Sequence, residues 1–167
     1  MRVLTFLVVL TIGISCSKDE AEKKCTQAVS PTVWTSLDQT KLTADIKSID
    51  DYITAHPPTV GVVVEDESGI RYDITEAGTG EKPCLESVVN VAYTGILLNG
   101  NKFDESTGAQ FTLKSLIAGW QIAFLKFNKG TKATLYVPSG LAYGARAIGS
   151  IPANSNLIFF VELKDFQ

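Results

Sequence analysis

The chain has 167 residues, 45% of them hydrophobic and 20% charged, a composition that suits one globular domain and excludes a disordered chain. Its 15 Lys and Arg against 18 Asp and Glu leave a formal charge of −3, so no basic excess exists to neutralise phosphates and no nucleic-acid binding is expected. With a single histidine, His56, and three cysteines, the ligands for a zinc site are too few, and neither a metal nor a cofactor is expected. Neither the nucleophile elbow of a hydrolase nor a phosphate-binding Gly-Lys-Ser/Thr loop occurs.

The first element is a leader. Met1-Arg2 is followed by an apolar run from Val3 to Ile14, too short to cross a membrane and the right length for the core of a secretory signal. Ser15-Cys16 closes it. A small residue before a Cys at this point resembles a bacterial lipoprotein signal, which implies lipidation of Cys16 and a cell-envelope location, most simply as an outer-membrane lipoprotein. Gly13 departs from the more usual Leu of such signals, and an ordinary signal with a nearby cut is the alternative. If Cys16 carries lipid, Cys25 and Cys84 remain as a pair, and an oxidising compartment makes a disulfide between them a natural expectation; two free thiols are the alternative.

Ser17 to Thr32 is polar and without periodicity and reads as a tether. Leu42, Ile46, Ile49 and Ile53 then recur at spacings of four, three and four, which predicts one face of an amphipathic helix. Asp38, Lys41, Asp45, Lys47, Asp50 and Asp51 fall mostly off that stripe. Ser36 and Gln39 have capping-box spacing, and Pro57-Pro58 ends the helix. Such a helix either packs on its own domain or offers its apolar face to a partner.

From Val60 the texture becomes β-rich. Val60–Glu65 and Ile70–Glu76 flank the turn signal Glu67-Ser68-Gly69. Gly78-Thr79-Gly80 makes a bend, Val88–Leu98 is the strongest strand run, and Asn99-Gly100 is a strong hairpin signal. Leu116–Leu125 predicts a short helix, and Thr131–Val137 and Leu157–Phe166 predict strands. The pattern is α+β, a mostly antiparallel sheet wrapped on one short helix.

The motifs YTG (93–95), FD (103–104), GW (119–120), LAYG (141–144) and IP (151–152), followed by the run LIFFVEL (157–163), occur in this order. The set resembles the FKBP-type peptidyl-prolyl cis-trans isomerases, the macrolide-binding immunophilins, over about Gly69 to Phe166. The resemblance implies an FKBP-like antiparallel half-barrel over 59–167; the segments read above place before it an N-terminal amphipathic helix (36–58), a lipidated tether (16–35) and a signal peptide (1–15). It implies catalysis of rotation about X–Pro amides in proline-containing polypeptides, and the possibility of macrolide inhibitor binding. By motif, Tyr93, Phe103, Asp104 and Tyr143 match the family's catalytic positions. Phe111, Leu116, Ile117, Trp120, Ile151 and Phe159 match its substrate-binding positions, with Trp120 as floor and the Ile117 N–H and Tyr143 hydroxyl aimed at a substrate carbonyl. Gly144–Ser150 would be the mobile loop over the site.

The chemistry agrees with the composition. Amide rotation breaks no bond between heavy atoms, so no nucleophile, metal or base is required. It needs an apolar socket that binds the twisted amide better than the planar one. Departures from the family pattern are a shortened Phe103–Phe111 segment, Ala109 where a second pocket phenylalanine is common, and no arginine to pair with Asp104. These favour, as the alternative, a lipid-anchored chaperone or peptide-binding module with little turnover.

Overall fold

A computed structural model describes residues 25–167; the leader and Cys16 lie outside the described residues. The elements in chain order are α1 (Thr32–Thr35), α2 (Gln39–Ala55), β1 (Val64–Glu65), β2 (Arg71–Glu76), β3 (Val88–Leu97), β4 (Lys102–Thr112), α3 (Ala118–Phe124), β5 (Lys132–Val137) and β6 (Leu157–Phe166). The strands form one antiparallel sheet in the order β1-β2-β5-β6-β3-β4.

Side chains alternate across a strand, and one face of this sheet closes on α3. Val89, Val91, Leu135, Val137, Leu157, Phe159, Val161 and Leu163 point inward to meet Trp120, Ala123 and Phe124. Gly119 allows the closeness of this contact, since a Cβ there would lie 2.4 Å from Val137 Cγ1. The Asn99-Gly100 turn forms as expected. Gly100 sits at φ +84°, its N–H donates to Leu97 O at 2.9 Å, and β4 follows directly.

The predicted amphipathic helix packs at home. Ile49 of α2 is fully buried against Tyr136 and Ile158 on the outer face of the sheet, with Tyr52, Ile53 and Ile96 around them. Burial of one such side chain contributes about 1.5–3 kcal/mol. Arg71 of β2 adds a fork to Asp50 of α2, through Nε (3.0 Å) and an outer nitrogen (3.2 Å). The capping box does not form. Asp38 is the N-cap and accepts from the N–H groups of Thr40 and Lys41, while Ser36 ends α1 and the Gln39 amide turns back to the carbonyls of Trp34 and Leu37. A carboxylate one residue before the first helical position is the better acceptor for those N–H groups.

Two further expectations shift. The run from Val60 is strand only at Val64–Glu65, and Val60 and Val62 are exposed. Residues 25–37 lie along the domain: Val29, Val33, Trp34 and Leu37 pack against the main core. The segment is anchored near its start, where Thr26 N and Oγ1 donate to the Glu86 carboxylate (2.8 and 2.9 Å) and Leu85 N donates to Thr26 O (2.9 Å). This brings exposed Cys25 beside buried Cys84, both as free thiols.

Candidate active site

Sheet and helix together build an aromatic socket. Trp120, on α3, is 4% exposed and is the hub. Its ring meets Tyr93 of β3 edge to face (centroids 5.3 Å apart, planes at 84°), Phe159 of β6 (5.2 Å, 83°) and Phe111 of β4 (6.4 Å, 84°). Phe103 of β4 stands edge-on to Phe159 (5.6 Å, 87°) and is half-buried. Edge-to-face pairs of this kind hold ring positions by about 0.5–1.5 kcal/mol each beyond burial. The socket is therefore preformed.

Polar groups are confined to one side. The Tyr93 hydroxyl donates to Asp104 Oδ2 at 2.6 Å, and Asp104 Oδ1 accepts the Glu105 N–H at 2.9 Å. Among the described residues no cation lies within ion-pair distance of Asp104, so its orientation depends on Tyr93. Burial, then the bond to Asp104, pushes the Tyr93 hydroxyl up to about 12. Tyr143 follows the turn after β5; burial and then the Asp104 charge raise its pKa. Its hydroxyl has no hydrogen-bond partner among the described residues, and neither has the Ile117 N–H at the start of α3. Both donors are free to meet an incoming carbonyl.

The ten residues singled out from the motifs thus come together. Tyr93, Phe103, Phe111, Leu116, Ile117, Tyr143, Trp120, Ile151 and Phe159 belong to one apolar cluster, and Asp104 joins it through Tyr93. Leu116 turns its carbonyl to Gln121 Nε2 at 2.7 Å, which fixes the approach to α3. Beyond Tyr143 the chain makes a tight hairpin, with Ile148 and Ile151 exchanging N–H···O bonds of 3.0 and 2.8 Å across Gly149-Ser150. Buried Ile151 is turned into the cluster by this hairpin.

One residue of the site was missed from the motifs' side chains because it has none. A Cβ at Gly95 would lie 2.5 Å from Phe103 Cε2 and Cζ and 3.2 Å from Phe159 Cε1. Gly95 is the seat on which the Phe103 ring rests. A glycine inside a strand signals such a close approach, but only the fold says what approaches.

Comparison with known proteins agrees with this architecture. A family profile described as FKBP-type peptidyl-prolyl cis-trans isomerase matches residues 79–164. An FKBP-type peptidyl-prolyl cis-trans isomerase FkpA of Aeromonas hydrophila is 41% identical over 121 residues, 70% of this chain and 45% of the relative. An outer membrane protein MIP of Legionella longbeachae is 40% identical over 119 residues, 68% of this chain and 51% of the relative. The chain spans about half the length of these curated relatives. Among solved structures, FkpA of Escherichia coli superposes with a TM-score of 0.66 at 33% identity, covering 77% of this chain and 64% of that one. A peptidyl-prolyl cis-trans isomerase of Pseudomonas syringae pv. tomato superposes with 0.64 at 32% identity, covering 84% of this chain and 98% of that one. Half-barrel, short helix, aromatic socket and sequence all agree: the chain belongs to the FKBP-type peptidyl-prolyl cis-trans isomerase family.

Proposed function

We propose that this chain is a peptidyl-prolyl cis-trans isomerase that speeds proline-limited folding of cell-envelope polypeptides, held at the outer membrane by lipid on Cys16. The observation that carries the reading is the Trp120 socket, walled by Tyr93, Phe111 and Phe159, with two unengaged donors, the Tyr143 hydroxyl and the Ile117 N–H, beside it. The leader ending in Ser15-Cys16 and a relative named as an outer membrane protein support the location. The aromatic walls also suit macrolide inhibitors of the kind the family binds.

The proposed chemistry is differential binding. An X–Pro amide resists rotation by ~18–20 kcal/mol because resonance spreads charge over O, C and N, and unassisted exchange takes tens to hundreds of seconds. Twisting the bond removes that charge separation, so a dry aromatic socket favours the twisted form over the planar one. The proline ring lies on Trp120. Tyr143 and the Ile117 N–H hold the carbonyls in register, and Asp104 is kept in place by Tyr93. A thousandfold acceleration requires about 4 kcal/mol of such preference. No proton need leave any side chain, which accords with Tyr93 and Tyr143 both being held protonated.

The test is an isomerisation assay of the full chain over a set of X–Pro peptides, with Tyr143→Phe as control. Turnover that falls roughly tenfold or more in the control supports the reading. A second reading, a peptide-binding chaperone, is favoured by one observation: Asp104 has only Tyr93 and the Glu105 N–H to orient it. A folded chain that binds unfolded polypeptide and turns over none of the peptides would put that reading first.

A further inference from the structure

Helix α2 carries a buried acid at the edge of its apolar stripe, three residues after Leu42 and four before Ile49. Asp45 is 4% exposed. Its Oδ2 accepts from Ser139 Oγ at 2.6 Å and from Ser139 N at 3.1 Å, and its Oδ1 pairs with Lys41 one turn earlier. Asn156 completes a triangle: its Nδ2 donates to the Asp45 carbonyl (3.2 Å), and its Oδ1 shares the Ser139 N–H (2.9 Å). Ser139 and Asn156 are both buried.

These two residues bracket the segment that bears Tyr143 and Ile151. Ser139 O accepts the N–H groups of Ala142 (3.1 Å) and Gly144 (2.8 Å), and Gly144 O accepts the Asn154 N–H (2.7 Å). Hydrogen bonds therefore run without a break from Asp45, through Ser139 and Gly144, to Asn154, and directly from Asp45 to Asn156. Both ends of the segment are tied to one residue of α2, Ser139 to the Asp45 carboxylate and Asn156 to the Asp45 backbone carbonyl, and Tyr143 stands between the tied points. A carboxylate taken out of water is costly unless its oxygens are satisfied. Here Lys41 satisfies Oδ1, but Oδ2 is satisfied by Ser139 of the segment itself, so displacement of the segment leaves a buried carboxylate oxygen without donors.

We propose that Asp45 is a positioning residue for the isomerase site, acting through the Tyr143 segment. The proposal rests on the reading of the site given above. The full chain, Asp45→Ala, Asp45→Asn, Tyr143→Phe and the Asp45→Ala/Tyr143→Phe double variant are compared by amide hydrogen exchange and by kcat and KM on an X–Pro peptide. In Asp45→Ala the amides of Ala142, Gly144 and Asn154 exchange faster while those of β3 and β6 keep their protection, and kcat/KM falls on the order of tenfold. Asp45→Asn, which keeps an acceptor for Ser139, retains most of the activity. In the Tyr143→Phe background Asp45→Ala costs little more, because the group it positions is already gone. Losses that multiply in the double variant, or unchanged exchange at those three amides, overturn the proposal. If Asp45→Ala loses protection throughout the sheet, Ser139→Ala, which removes the 2.6 Å bond alone, carries the same test. An unaltered chain without turnover overturns the isomerase reading and with it the positioning role, whereas the exchange data test the clamp independently.

Discussion

Gly95→Ala separates the site from the scaffold. The added methyl meets Phe103 Cε2 and Cζ at 2.5 Å and Phe159 Cε1 at 3.2 Å, where carbon atoms ordinarily approach to ~3.5–4.0 Å. Phe159 is 4% exposed and cannot yield. Phe103 is half-buried, so its ring retreats by about 1 Å and its edge-on contact with Phe159 is lost. The expected loss of stability is about 1–3 kcal/mol, read as a Tm lower by roughly 3–10 °C. A shift of that size in a wall group lowers kcat/KM by roughly tenfold to a hundredfold. The control is Gly100→Ala. Gly100 has φ +84° and nothing within 4 Å of its would-be Cβ, so alanine there costs roughly 1–2 kcal/mol of backbone strain alone. Urea unfolding and the isomerisation assay are run on both variants. The reasoning is refuted if Gly95→Ala turns over like the unaltered chain, or if Gly100→Ala loses as much activity at equal stability.

Three more outcomes are expected. Tyr93, Tyr143 and Tyr136 all keep their protons to higher pH in the fold than free tyrosine does, each chiefly through burial and then through Asp104, or Asp73 for Tyr136. In the alkaline range above the free value of ~10 the native state thus binds more protons, so their contribution is full below ~10 and is lost as pH rises through each raised value, about 12 for Tyr93; denaturation midpoints that do not fall as pH rises above ~10 would contradict the assignment. Asp104→Asn removes the charge holding the Tyr93 proton, and an absorbance titration of phenolate should show a tyrosine ionising at lower pH. Finally, Cys25 and Cys84 should form an intramolecular disulfide. Cys25 is the exposed thiol of the pair, so it is the one that meets a glutathione disulfide. At Cys84 beside it burial opposes the thiolate, but hydrogen bonds from Cys25 and Ser87 outweigh it and lower its pKa, which places it to resolve the product. The mixed disulfide on Cys25 is then resolved by Cys84, with two glutathione thiols released in all. Treatment with oxidised glutathione should raise Tm and abolish both free thiols, Cys25→Ser should prevent the gain, and thiols that stay titratable in the folded, treated chain would refute the pairing.

Much of the fold is legible in the sequence because its signals are local. The Leu42–Ile53 stripe gives α2, Asn99-Gly100 gives the β3–β4 hairpin, and the ordered motifs bring the aromatic socket together before any coordinate is known. What escapes is set by tertiary contacts. Asp45 borders the apolar stripe, but that an acid can be buried there depends on Ser139, which supplies its carboxylate with donors from more than ninety residues away. The β4 run lacks alternation since an edge strand exposes much of both faces. Val29, Val33 and Trp34 are too sparse to form a period, so their docking on the core leaves no pattern. Ser36 and Gln39 have the spacing of a cap, but Asp38 stands two residues nearer than Ser36 to the N–H groups that need it.

The order of the strands has a consequence for how the molecule comes into being. β6 is the last element in the chain and the fourth of six in the sheet, hydrogen-bonded to β5 on one side and β3 on the other. Without it the sheet is two unconnected ribbons, β1-β2-β5 and β3-β4, and the aromatic socket lacks Phe159. A chain that emerges N-terminus first therefore cannot close its core until residues 157–166 arrive. Pairings between such distant segments also form slowly. Delayed closure suits the envelope location proposed above, since an export channel takes its passengers unfolded. The arrangement that completes the socket also keeps the polypeptide threadable until its final strand is delivered.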